Sequence, residues 1–140
     1  MTNILDKYIL AYKENIRTVK REIKNKEKIS HWMWFIFPQI QGLGSIFNSI
    51  FYSFKNIEEA KLFFDNIYLR KNLTNLLQKI IEWDKSTLIN FFGYLDSKKF
   101  HSSMTIFYLA TNETIFEKIL CKFYNQELDN NTIEILKNIG

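Results

Sequence analysis

The stretch between Lys28 and Lys55 contains no aspartate, glutamate, lysine or arginine, and it strongly limits how this chain of 140 residues can fold. It is long enough to cross a bilayer. Its middle, however, reads Pro-Gln-Ile-Gln-Gly-Leu-Gly at residues 38–44, and an irregular backbone there would leave polar groups unpaired in hydrocarbon. The stretch therefore predicts two buried segments joined by a turn, and we expect no membrane partner.

Apolar side chains recur every three or four residues near the start of the chain, which is the spacing of one helix face. The stripe consists of Ile4, Tyr8, Tyr12, Ile16, Val19 and Ile23. It predicts a helix over residues 3–25 with charged side chains on the opposite face. With four glycines and one proline, the chain has few residues that interrupt regular structure. We therefore predict a single compact all-α domain over residues 1–140, with about seven or eight helices.

Residues 31–37, His-Trp-Met-Trp-Phe-Ile-Phe, have no polar face and are buried whether they form a strand or a helix. Their aromatic content favours a strand. A lone buried strand would leave its backbone groups without partners, and no convincing partner strand occurs elsewhere in the sequence. We therefore predict that this aromatic segment is helical and that the other helices pack around it.

Polar residues mark the expected helix starts, because their side chains accept hydrogen bonds from backbone N–H groups that have no partner. The expected starts are Ser30, Asn56, Asp96, Asn112 and Asn131. Asn56 is followed three residues later by a glutamate, which is the spacing of a capping box. Gly93 is expected to end the helix that precedes Asp96.

Basic residues are concentrated at the start of the chain. Residues 1–28 hold eight basic and four acidic side chains, and this surplus accounts for the net charge of +4. No known DNA- or RNA-binding motif occurs, so the sequence argues against nucleic-acid binding. The single cysteine, Cys121, cannot form an internal disulfide, and with two histidines it cannot complete a structural zinc site. We expect a cytoplasmic protein with no metal and no cofactor.

Two groups of residues are candidates for a functional site, and the first lies in and beside the aromatic segment. Trp32 and Trp34 offer planar surfaces on which a nucleobase can stack, and core packing is the alternative role. A buried indole N–H needs an acceptor, which Gln39 can supply unless it faces a ligand. Imidazole groups titrate near neutral pH, so His31 is a candidate general acid or base, with a structural role as the alternative.

The second group lies on the helix expected to start at Asp96. Lys99 is expected in its first turn, where an ammonium group is unfavourable beside the positive helix end unless an anion is bound. Ser102 and Ser103 follow at three and four residues, on the same face, so the group suits a phosphate or carboxylate. The alternatives are that Asp96 is only a cap and that the serines hydrogen bond to their own helix.

The run Ser-His-Trp-Met-Trp-Phe-Ile-Phe-Pro-Gln at residues 30–39 resembles the motif of a bacterial family catalogued as domain of unknown function 1810, sometimes labelled calpastatin. Further matching positions are Gly42, Leu43 and Gly44, then Gly93, Asp96, Lys99 and Ser102 to Thr105, and more weakly Phe123, Tyr124, Asp129 and Thr132. The resemblance covers nearly the whole chain and implies a mainly helical domain without an established activity. A more distant likeness is to the helical ADP-ribose-processing NADAR families.

Together these features predict a pocket between the aromatic segment and the helix that carries Lys99. The pocket would bind a small anionic molecule, such as a nucleotide or an ADP-ribose-like compound. Trp32 or Trp34 would stack on it, and Lys99 and the two serines would hold the anion. Any proton transfer would use His31 or Asp96, and the sequence leaves open whether a reaction is catalysed. Two alternatives remain: an interaction domain whose basic first helix meets an acidic partner, and nucleic-acid binding through that helix.

Overall fold

The computed structural model describes residues 3–139, and within them the chain forms eight helices and no β-strand. The helices are α1 (Asp6–Asn25), α2 (Met33–Ile36), α3 (Phe47–Phe51), α4 (Ile57–Asp65), α5 (Ile67–Ile80), α6 (Lys85–Thr111), α7 (Thr114–Tyr124) and α8 (Asn130–Ile139). The prediction of an all-α domain with seven or eight helices is confirmed. No helix in the described range is both long and apolar enough to cross a bilayer.

Helix α6 is the centre of the packing, since it contacts α2, α4, α7 and α8, while α1 lies against α5. Aromatic rings fill the space between these helices: the Phe63 ring centroid is 5.3 Å from that of Phe107 and 5.8 Å from that of Tyr12. Each fully buried ring stabilises the fold by about 1.5–3 kcal/mol. The predicted stripe of α1 faces this core, with Tyr8, Tyr12, Val19 and Ile23 buried and Ile16 partly buried. Ile4 precedes the helix and is exposed.

The aromatic segment, residues 31–37, is helical only at Met33–Ile36, which is a single turn. Trp32 and Phe37 flank this turn and are fully buried, as predicted. The prediction that the whole segment is buried is wrong for His31, which is exposed, and for Trp34, which is half-buried. The turn cannot continue because Pro38 lacks an N–H group and disfavours a helical conformation at the residue before it.

One of the expected helix starts is confirmed and two are wrong. The Asn56 cap is confirmed, because its side chain accepts the Glu59 N–H at 3.0 Å. Ser30 is not a cap: its N–H donates to the Glu22 carboxylate at 3.1 Å, and α2 begins later without a side-chain cap. Asn112 ends α6 in a left-handed conformation, with φ of 58°, and does not start the next helix. Of these three expected starts, polar spacing identified a real cap only at Asn56.

Helix α6 contains one residue outside helical geometry, Gly93, with φ of 75° and ψ of 177°. Glycine adopts this conformation readily because it has no Cβ. The break separates residues 85–92 from residues 94–111, as the sequence predicted for Gly93. Asp96, however, is the third residue after the break and does not cap the second run. Lys99 is the sixth, in the second turn, so its predicted first-turn position is wrong.

Candidate functional site

A buried carboxylate lies behind the aromatic segment. The Trp32 indole N–H donates to Oε1 of Glu22 at 3.0 Å, and the same oxygen accepts the Ile29 and Ser30 N–H groups at 2.9 and 3.1 Å. Gln39, for which the sequence left open a role as indole acceptor or as ligand contact, does not accept the Trp32 N–H. Burial by itself raises the pKa of the Glu22 carboxyl, but these hydrogen bonds outweigh it and hold the pKa below its usual value.

The Asp96 carboxylate lies between two lysines. The Lys28 Nζ is 3.0 Å from Oδ2 and the Lys99 Nζ is 3.3 Å from Oδ1. Only 7% of the Lys28 side chain is exposed, and its ammonium lies 4.7 Å from the Trp32 ring centroid. The Lys28–Asp96 pair therefore connects the loop after α1 to α6, and both oxygens of Asp96 have a cationic neighbour.

An open cleft of about 560 Å³ contains Lys99 and extends away from this ion network. Three segments form its walls: residues 39–43, residues 95–102 on α6, and residues 127–131 before and at the start of α8. The lining residues are Gln39, Leu43, Leu95, Lys98, Lys99, His101, Ser102, Glu127, Leu128, Asp129, Asn130 and Asn131. Across the described residues, no three His, Cys, Asp or Glu side chains are grouped to hold a metal ion.

Three of the predicted ligand-binding residues, Gln39, Lys99 and Ser102, line this cleft, so the two distant stretches of the chain meet in space. Trp34 lies beside it, half-buried, with its ring centroid 6.0 Å from the Lys99 Nζ. His31 is exposed, with its ring 6.5 Å from that of Trp34, and it is not part of the cleft lining.

Trp32 and Ser103, which were also predicted to bind a ligand, are fully buried. The Trp32 ring packs against Phe37 and Phe91, at centroid distances of 6.0 and 6.1 Å. The Ser103 hydroxyl has no hydrogen-bond partner among the described residues. Side chains without exposed surface do not contact a ligand in an open cleft, so the structure corrects both assignments. Ser103 lies four residues after Lys99, so helical spacing predicted that both face the same way. In the structure Ser103 lies on the side of α6 that faces the core.

Asp129 fastens the start of α8 to α6. Its Oδ2 accepts the Ser102 hydroxyl at 3.0 Å and the Thr132 N–H and hydroxyl at 3.0 and 2.7 Å. Its own N–H donates to the Thr105 hydroxyl at 2.9 Å. Asp129 is thus the cap of α8, which begins at Asn130, one residue before the expected start. The Ser102 hydroxyl at the cleft wall therefore already donates to Asp129, and this contact holds α8 against α6.

Lys98 and His101 line the cleft but were not predicted from the sequence. The Lys98 Nζ lies 4.4 Å from the Tyr94 ring centroid, and no carboxylate within residues 3–139 comes within 4 Å of it. The His101 Nε2 is 2.7 Å from the Glu127 carbonyl oxygen, which only accepts, so Nε2 carries the hydrogen. In the neutral ring, Nδ1 is then the acceptor. Lys98 and His101 are the sequence neighbours of the predicted Lys99 and Ser102, and this adjacency could have identified them.

The chain has relatives among known proteins. The family described as "Protein of unknown function (DUF1810)" matches residues 2–136. Among solved structures, the chain is similar to the conserved hypothetical protein Rv1873 from Mycobacterium tuberculosis, at 31% sequence identity and a TM-score of 0.90. That similarity covers 95% of this chain and 96% of the other. No curated protein matches the sequence.

Proposed function

The chain belongs to the DUF1810 family of proteins of unknown function, and from its cleft we propose that it binds a small anionic molecule of the nucleotide class. In its finer form the proposal is a nucleotide or an ADP-ribose-like compound, in which phosphate is joined to a planar ring. The observation that carries it is the cleft itself, where two lysines, an amide and apolar side chains face one open space.

Lys98 and Lys99 supply the positive charge. Lys98 has no carboxylate of the described chain within 4 Å, so its ammonium group would gain a partner from a bound phosphate. Lys99 is shared with Asp96 and is 37% exposed, and an ammonium has three donors, so it can contact both. Hydrogen bonds between an ammonium and a phosphate are among the stronger ones in proteins.

The remaining lining suits a planar ring. Leu43, Leu95 and Leu128 provide apolar surface inside the cleft, and the half-buried Trp34 lies next to Lys99 at its edge. The Gln39 amide both donates and accepts, which matches the edge of a nucleobase. Stacking of a base on an aromatic side chain contributes about 1–3 kcal/mol.

The proposal concerns binding, and any proton transfer in the cleft would use His101. This ring lines the cleft with its Nε2–H fixed by a carbonyl, which leaves Nδ1 as the acceptor. His31 lies outside the lining, and Asp96 is paired with two lysines. These contacts make His101 a better-placed group than the two that the sequence suggested.

A thermal-shift series with inorganic phosphate, AMP, ADP and ADP-ribose tests the proposal. A ligand at 100 times its Kd stabilises the folded protein by about 2.7 kcal/mol. We expect Lys98→Ala and Lys99→Ala to lose the shift, and Lys118→Ala, an exposed lysine of α7 outside the cleft, to keep it. If no probe raises the Tm, or if the cleft variants respond like the parent, the protein does not bind anions at this site.

A second candidate function, an interaction domain without catalysis, is favoured by two exposed surfaces. The first is apolar and lies on and beside α3: it consists of Ile46, Phe47, Ile50 and Phe51, with exposed fractions between 42% and 73%. The second is cationic and lies on α1: it consists of Lys13, Arg17, Lys20, Arg21 and Lys24, none of which has a carboxylate of residues 3–139 within 4 Å. Exposed apolar patches and exposed charged patches are both typical of surfaces that bind other proteins.

Titration with a polyglutamate peptide and with a DNA duplex tests the cationic surface of α1. Saturable peptide binding that is lost in Arg17→Glu supports an acidic protein partner. Tighter binding of the duplex, with affinity that falls steeply as salt rises, supports nucleic-acid binding instead. Failure of both to bind removes the cationic surface as a docking site.

A further inference from the structure

A second hollow of about 330 Å³ lies next to the cleft, and the two share Lys98, His101 and Glu127. The other residues that line the second hollow are Lys85, Ile89, Ser97, Phe123, Tyr124 and Asn125. Because the three shared residues line both spaces, they form a ridge between them. The cleft and the second hollow are therefore two compartments on one continuous surface.

The His101 ring in the ridge is fixed by contacts on two sides. The His101 ring lies flat on the Tyr124 ring, with centroids 4.0 Å apart and planes 3° apart, and its Nε2–H donates to the Glu127 carbonyl. The Tyr124 hydroxyl in turn donates to the Ser97 carbonyl oxygen at 2.7 Å. Burial raises the pKa of the Tyr124 phenol, so the hydroxyl remains a donor. These contacts join α6, α7 and the loop before α8 at the position of His101.

Lysine side chains line the cleft, the ridge and the second hollow. Lys99 lines the cleft, Lys98 lies on the ridge and Lys85 lines the second hollow. Within the described chain, Lys85 and Lys98 have no carboxylate within 4 Å. The acidic residues are Glu127 on the ridge and Asp129 in the cleft, and Oδ2 of Asp129 already accepts three hydrogen bonds from the protein. Lysines without a carboxylate partner thus lie on the ridge and in the second hollow, and Glu127 on the ridge likewise has no lysine or arginine of the described chain within 4 Å.

Each compartment also offers apolar surface away from the ridge. The cleft has three leucines, and the second hollow has the exposed Ile89 and the partly buried ring of Tyr124, with the buried Phe123 beneath them. A ligand that fills both would place a ring or sugar on each apolar wall and its anionic part over Lys98. A compound with a single ring and a terminal phosphate fills only one compartment.

We infer that the ligand has two ends joined by a diphosphate bridge, as in a nucleoside-diphosphate sugar or a dinucleotide, with one end in each compartment. The inference rests on the proposed function and adds to it a second subsite, formed by Lys85, Ile89 and Tyr124. The bridge would cross the ridge at Lys98, whose ammonium would contact its phosphate oxygens.

Calorimetric titration with two matched pairs of probes tests the second subsite. AMP and ADP-ribose form one pair and UMP and UDP-glucose the other, so that the result does not depend on the base. In the parent we expect the two-ended member of at least one pair to bind ten times more tightly or better. Lys85→Ala and Ile89→Glu should remove that advantage, about 1.4 kcal/mol for a tenfold change, and leave the one-ended member unaffected.

Lys99→Ala should weaken both members of a pair, and Lys118→Ala should weaken neither. Equal affinities within each pair, or two-ended binding that survives both second-hollow variants, would overturn the second subsite. One-ended binding that depends on Lys99 would then still support the proposed function. If no probe binds, both the function and the subsite are wrong. Lys85 and Ile89 are exposed, so circular dichroism should show parental folding in their variants.

Discussion

The indole N–H of Trp32 donates to the carboxylate of Glu22 at 3.0 Å, and both residues are buried. The same carboxylate oxygen accepts two backbone N–H groups from the loop between α1 and α2. One charged acceptor on α1 thus satisfies three donors at the start of the aromatic segment. Without it, burial of that segment would leave polar groups unpaired, at a cost of about 1–3 kcal/mol for each.

Replacing Glu22 by Gln preserves the size of the side chain and removes its charge, so three hydrogen bonds lose a charged acceptor. We expect the free energy of unfolding to fall by about 1–3 kcal/mol at neutral pH. The pKa of Glu22 is lower in the folded state than its usual value of 4.5. Its charge therefore stabilises the fold above that value, and this contribution is lost as the pH falls from 4.5 through the folded pKa.

Urea denaturation of the parent and of Glu22→Gln, at neutral pH and at steps below pH 4.5, measures this effect. The gap between the two proteins should narrow as the pH falls. Glu27→Gln is the matched control, because Glu27 is exposed and lies on the same part of the chain. A gap that stays constant throughout the acid range would show that the Glu22 charge contributes nothing.

Gly93→Ala tests the break in α6. The added Cβ would meet no heavy atom within 4 Å, so the strain comes from the backbone angle alone. The combination of φ at 75° and ψ at 177° belongs to a region that glycine alone adopts readily, and other residues there cost about 1–3 kcal/mol. Thermal or urea unfolding should show that loss, while Asn90→Ala on the exposed face of the same helix should stay within about 0.5 kcal/mol. A neutral Gly93→Ala would mean that the break relaxes freely.

The Lys28–Asp96 ion pair should contribute more than an exposed one. A double-mutant cycle with alanine at both positions should give a coupling energy of about 1–3 kcal/mol, because the Lys28 side chain is almost buried. The matched control within the chain is Glu134–Lys137, whose side chains are each 69% exposed and 3.8 Å apart. That pair should give about 0.5 kcal/mol or less. Equal coupling in the two cycles would remove any special contribution from burial.

Asp129→Ala should loosen α8, because the variant loses the cap and the hydroxyl contact with Ser102 together. We expect a loss of about 1–2 kcal/mol and faster hydrogen exchange in α8. Ser102→Ala should cost less, about 0.5–1.5 kcal/mol, because both Thr132 hydrogen bonds remain. Exchange in α8 that is unchanged in Asp129→Ala would contradict the assignment of Asp129 as its clamp.

Local features of the chain were predictable from the sequence. The stripe of Tyr8, Tyr12 and Val19 predicted the buried face of α1, and Gly93 predicted a break before the second half of α6. The same spacing also contained a signal that was missed. Glu22 lies three residues after Val19, so helical periodicity places it on the buried face and not among the solvated charges.

Polar partnerships were the part that the sequence did not reveal. Ser30 and Asn112 both resemble helix starts, but one donates to Glu22 and the other closes α6. In the cleft, Lys99 and Ser102 were predicted, whereas Lys98 and His101 on the same helix were not. The same type of polar residue can cap a helix, hold two helices together or contact a ligand. The residue type in the sequence therefore does not say which of these roles it has. The neighbours that choose between these roles come from other segments.

The sequence by itself determined that the chain is helical, which face of α1 is buried and where α6 is interrupted. These depend on periodicity and on preferences that act over a few residues. The tertiary structure alone decided that Glu22 meets Trp32, that Asp129 meets Ser102 from 27 residues away, and that a cleft lies beside Lys99. Such contacts depend on how whole helices pack, because only the packing of the core brings distant polar groups within hydrogen-bond distance.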